Sequence, residues 1–76
     1  MNKSPKAPKK ESKELTFTEA IQEVLTGKSI TKLEWGDKKY YGLLKDGQLM
    51  LRKLDNQYYQ WILSEGDMRG EDWVVI

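Results

Sequence analysis

Neither histidine nor cysteine occurs in this 76-residue chain. That removes the commonest general base and the best nucleophile together. It also removes the ligands of ordinary zinc sites and any disulfide. What remains for chemistry is carboxylates, cations and flat rings. Carboxylates alone can run a hydrolase, but a glycosidase-type cleft needs more chain than this, so the expectation is no enzyme activity. The rings are the unusual feature: three Trp and four Tyr in so short a chain, all on the C-terminal side of residue 34. Exposed rings among mixed charges suit base stacking, on a single strand or on a free nucleotide. Lys32, Arg52, Lys53 and Arg69 are the cations nearest them in sequence, and a surface cation is more often solvated than a phosphate ligand. No phosphate loop, dinucleotide fingerprint or helix-turn-helix pattern accompanies them.

The elements that position these residues are readable in order. Thr16 and Glu19 have capping-box spacing. Phe17, Ala20, Ile21, Val24 and Leu25 then form one helical face, and Gly27 is placed to close the helix in the left-handed conformation. Ser29 to Trp35 is strand-like, although Ile30 and Leu33 cannot share a face without a bulge. Lys39 to Lys45 and Gln48 to Leu54 flank Asp46-Gly47, a strong hairpin signal of type I′. Tyr58 to Leu63 is a fourth strand, with Trp61 on the same face as Tyr59 and Leu63. Ser64 to Gly70 is a loop with one helical turn capped by Ser64. Glu71 to Ile76 reads as a strand held in the middle of the sheet and anchored by Trp73. The predicted fold is α+β: one N-terminal amphipathic helix packed on an antiparallel β-meander of about five strands. Tyr40-Tyr41 and Tyr58-Tyr59 each put one ring on either face. One helix covers one face, so the surplus rings are expected at solvent or at another subunit.

Residues 1–14 contain both prolines and five lysines against two glutamates, a charge of +3, so with +1 overall residues 15–76 carry −2. With no large apolar residue after Met1, this segment is expected to be a disordered basic tail, followed by a single domain over 15–76. A tail that binds nucleic acid normally belongs to a basic domain, so a solubilising extension is the simpler reading. A chain that is 33% charged with a thin core is marginal by itself, and self-association is the remaining support. No apolar run follows the basic start, which leads to an expected location in the cytoplasm.

Phe17-Thr18-Glu19-Ala20-Ile21 through Gly27-Lys28, Ile30 to Trp35, and Asp67, Met68, Gly70, Asp72, Trp73, Val75 and Ile76 together resemble the second Thoeris anti-defence family of small phage and prophage proteins. The resemblance spans Leu15 to Ile76. It departs at Lys32 and Glu34, where the family usually has Arg and then Gly, and in the midsection, where a plain Asp46-Gly47 hairpin replaces a longer insertion. The resemblance implies a homo-oligomeric sponge that sequesters a cyclic nucleotide immune signal at subunit interfaces without cleaving it. On that reading Trp35 and Trp61 offer stacking surfaces, Lys32 or Arg69 meets phosphate, and Asp67 or Asp72 accepts hydrogen bonds from ribose hydroxyls or an adenine amino group. No cofactor or metal is implied. Two alternatives stand beside it: an inhibitor that binds a host or immune protein, such as a CRISPR nuclease, through its aromatic sheet face, and a single-stranded nucleic-acid binder.

Overall fold

The computed structural model describes residues 14–76; the expected disordered tail lies outside them except for Glu14. The first element, α1 (Phe17–Leu25), starts as its capping box dictates. Thr16 Oγ1 accepts the Glu19 N–H at 3.2 Å, and Glu19 Oε1 accepts the Thr16 N–H at 2.9 Å. Two orphan donors of the first turn are thereby satisfied. Ala20 and Val24 are buried and Phe17 and Ile21 half-buried, but Leu25 is 66% exposed at the helix's last position. Gly27, at a φ of +101°, turns the chain out of the helix.

Five strands follow, with a short second helix before the last: β1 (Ile30–Lys32), β2 (Tyr41–Lys45), β3 (Gln48–Arg52), β4 (Tyr58–Gln60), α2 (Glu65–Arg69) and β5 (Trp73–Val75). The sheet is antiparallel in the order β4-β3-β2-β1-β5. The expected helix on a five-stranded antiparallel sheet is therefore observed, with two corrections. β5 is an edge strand rather than a central one, shorter than the expected Glu71 to Ile76. Among the described residues it gains a second neighbour at Trp73, whose backbone exchanges hydrogen bonds with Leu15 at 2.7 and 3.2 Å. The strand expected to run to Trp35 stops at Lys32, and Leu33–Trp35 winds into a 3₁₀ turn closed by Gly36 at a φ of +76°. That turn resolves the conflict between Ile30 and Leu33, because the chain leaves the sheet before Leu33 must choose a face. The other strands are each shorter than expected at one end. The Asp46-Gly47 hairpin behaves as read: both residues have positive φ, 54° and 77°, as a type I′ turn requires.

Paired residues share a face, so Ile30, Gly42, Leu51 and Tyr59 form one row across the sheet. Over this row sits the core of Ala20, Val24, Ile30, Leu51, Trp61 and Trp73. Gly42 is where the sheet admits Trp61: a Cβ there would collide with the six-membered ring of that indole. Both helices lie on this face, α1 packing on β1, β2, β5 and α2.

Two stability predictions come from this packing. Trp73, fully buried, is expected to cost about 3–5 kcal/mol on truncation to Ala. Gly42→Ala is expected to cost about 1–3 kcal/mol by overpacking against a rigid ring. Urea unfolding followed by tryptophan fluorescence measures both, and a Gly42→Ala protein as stable as the parent would mean that Trp61 does not seat there.

Candidate functional site

The segment from Ser64 to Trp73 is held by one residue, Asp67. Ser64 caps α2 by accepting the Asp67 N–H at 3.1 Å, and Asp67 Oδ2 accepts the Ser64 N–H at 3.1 Å in return. The same Oδ2 accepts the Trp61 indole N–H at 3.3 Å. The Asp67 main-chain carbonyl accepts the Trp73 indole N–H at 3.1 Å. Buried indoles need a partner for that donor, and Asp67 supplies both. Arg69, by contrast, projects outward with its side chain 79% exposed, and pairs with Glu65 one turn back at 2.7 Å.

Lys32 is the second centre. It is 7% exposed, and its Nζ lies 2.9 Å from Asp72 Oδ1 and 2.7 Å from Glu34 Oε1. Asp72 Oδ2 accepts the Glu34 N–H at 2.9 Å, and the Asp72 carbonyl accepts the Leu33 N–H at 3.0 Å. One residue thus neutralises Lys32 and caps the 3₁₀ turn. Gly70 makes room for this: a Cβ there would sit 2.5 Å from Lys32 Cε. The hydrogen bonds that its ammonium donates to Asp72 and Glu34 raise the Lys32 pKa above its ordinary 10.5, outweighing burial. Burial pushes Asp72 up, but the Lys32 ammonium and the Glu34 amide prevail, and its carboxyl lies below the ordinary 3.8.

The 3₁₀ turn carries Trp35 into an aromatic cluster. Its ring stacks on Tyr40 at 4.4 Å and meets Trp73 edge-on at 5.2 Å and Trp61 at 6.0 Å. Trp35 is half-buried, and Tyr40 occupies one of its faces. Trp61 is only 5% exposed. The six residues singled out by sequence therefore fall into three places: Lys32 and Asp72 in an ion pair, Trp35, Trp61 and Asp67 in and around the indole cluster, and Arg69 at the surface.

Beside Lys32 lies a hollow of about 200 Å³, open to solvent on one side and mainly apolar in lining. Its walls are Thr31, Lys32, Leu33, Gly36, Asp37 and Lys38. Sequence reasoning reached Lys32 but none of the other five. The Gly36-Asp37-Lys38 turn after Trp35 was the available signal, and it reads as a plain connection until the sheet bends it back. Tyr40 was likewise assigned to a strand, not to the ring it stacks on. The family model of the Thoeris anti-defense 2-like domain matches residues 15–76.

The chain belongs to that family. No curated protein matches it. Membership in the Thoeris anti-defense 2-like family supports an anti-defence role. Of the motif positions that carry the resemblance, Asp67, Gly70, Asp72 and Trp73 all prove to be framework: an indole acceptor, a gap for Lys32, its counter-ion, and the core ring. Among the described residues no helix is long and apolar enough to cross a membrane.

The Lys32–Asp72 pair has a pH signature. The carboxylate's contribution is present above 3.8 and disappears as pH falls through the lower folded value of Asp72. The ammonium's contribution is present below 10.5 and is lost as pH rises past the higher folded value of Lys32. Urea titrations across that range are expected to show both losses. Gly70→Ala, by displacing Lys32, is expected to cost about 1–3 kcal/mol near neutrality and to flatten the acid limb. An unchanged acid limb in that variant would show the pair to be energetically idle.

Proposed function

We propose that this protein sequesters a cyclic nucleotide immune signal without cleaving it, and that a second protomer completes the binding site at the hollow beside Lys32. The observation that carries this reading is the hollow's size and place. At about 200 Å³ it falls below the roughly 300–1,000 Å³ of a typical small-molecule site, so one protomer offers a wall rather than an enclosure. The turn that carries Trp35 also gives Leu33 and Gly36 to that wall. A ligand ring can use what Tyr40 leaves uncovered of Trp35. Lys38 on the rim and exposed Arg69 are the cations offered to phosphate. Lys32 is already shared between two carboxylates and acts first by shaping the wall, with Asp72, Asp67 and Trp61 behind it. Sequestration needs no general base, so the reading requires no turnover.

A panel of cyclic nucleotides tested by thermal shift is expected to contain one that raises the melting temperature by several degrees, because a ligand bound only to the native state stabilises it. Native mass spectrometry of protein from its host is expected to show a homo-oligomer with that ligand retained at unchanged mass. Lys38→Glu is expected to remove the shift while leaving the unliganded melting temperature in place. A monomer that responds to none of the panel rules the reading out. Affinity that falls steeply with salt and depends on residues 1–14 points instead to single-stranded nucleic acid.

A further inference from the structure

The sheet has a second face that neither helix touches. Side chains alternate along a strand, so the row Tyr41–Arg52–Tyr58 and the row Leu43–Met50–Gln60 lie opposite the core row. Tyr41, Leu43, Met50 and Arg52 are half-buried, and Tyr58 is 39% exposed. Arg52 stands between the two tyrosines. Its guanidinium lies 4.9 Å from the Tyr58 ring centre and donates from Nη1 to the Tyr58 hydroxyl at 3.0 Å. Its Nε is buried and finds no acceptor among the described residues. Lys45 Nζ lies 4.9 Å from the same ring. No strand position on this face of β2, β3 and β4 carries a carboxylate; the nearest, Asp46, belongs to the hairpin turn, 4.0 Å from Lys45.

We propose that this open face is a docking surface for an acidic, partly apolar segment of another protein, with Arg52 as the anchor that receives a carboxylate. Three observations select the occupant. The face presents cations without acids, so its complement is anionic. Residues 1–14 carry +3, the wrong sign to cover it, and a second copy of this face brings the same cations and no strand carboxylate to receive them. The remaining surface is Tyr, Leu and Met, apolar rows that suit side chains rather than a phosphate backbone; Tyr, Met and Arg are also the residues enriched where protein interfaces concentrate their energy. A guanidinium held beside one ring and hydrogen-bonded to its hydroxyl is already oriented, and a guanidinium forms its stronger hydrogen bonds with a carboxylate. This inference is independent of the nucleotide reading, since the hollow is built by the β1 turn and this face by β2, β3 and β4.

The test is a display library of random short peptides selected on the full chain, with the selected peptides mapped by amide chemical shifts. Selection is expected to enrich Asp and Glu alternating with Leu or Phe. The shifts are expected on Tyr41, Leu43, Met50, Arg52 and Tyr58. Arg52→Gln is expected to weaken these peptides roughly tenfold or more, and Lys45→Glu, at an exposed position that folding does not need, to weaken them as well. No enrichment, peptides without carboxylates, shifts confined to the hollow, or a tighter interaction with an oligothymidylate than with the selected peptides would each overturn the proposal. Concentration-dependent dimerisation through this face would overturn it too, by naming a second copy as the occupant.

Discussion

Two indole N–H groups buried in one small core must both find acceptors, and a single residue meets the need. Asp67 takes one through its carboxylate and the other through its main-chain carbonyl. Because the carboxylate also closes the capping box of α2, the short helix and the two largest core side chains form one unit. An unsatisfied buried donor costs about 1–3 kcal/mol, so neither ring can turn away without leaving a debt in the core. This constraint explains why a five-residue helix, far too short to persist alone, has a fixed place. It also fixes the edge strand: Trp73 is seated by Asp67 from above and by Leu15 and Lys32 from either side in the sheet.

The sheet divides the molecule into two surfaces of different composition. One face holds the helices and nearly all the packing, and its aromatic rings interlock edge to face. The other meets neither α1 nor α2, and there Arg52 and Lys45 flank the Tyr58 ring beside Tyr41, Leu43 and Met50. The hollow at the β1 turn opens at the end of the first strand, apart from the long hairpin of the open face. The hollow and the open face are thus built by different parts of the sheet.

Local signals in the sequence were faithful where local chemistry decides. Thr16 with Glu19, Asp46 with Gly47, and Ser64 before α2 each satisfy their own backbone groups, and each appears as read. The signals that failed were those in which distant residues decide. Trp35 was expected at the end of a strand because Ser29 to Trp35 has strand composition; Asp72, nearly forty residues away, captures the Glu34 amide and bends the chain there. β5 was placed centrally because Val-Val-Ile is apolar, yet an edge is tolerable for it because Leu15 returns to shield Trp73. Among the candidate site residues, identity was legible and accessibility was not. Lys32 and Asp72 could be read as charged, but nothing local announced that they would face each other, and Gly70 reveals its purpose only when Lys32 is seen to pass beneath it.

The pairing of Leu15 with Trp73 also has a mechanical meaning. The two residues pair antiparallel as a single bridge, beside the longer ladder of β5 on β1. The bridge's two hydrogen bonds can part while the three residues of β5 keep their places on β1, so fraying of this edge starts at Leu15.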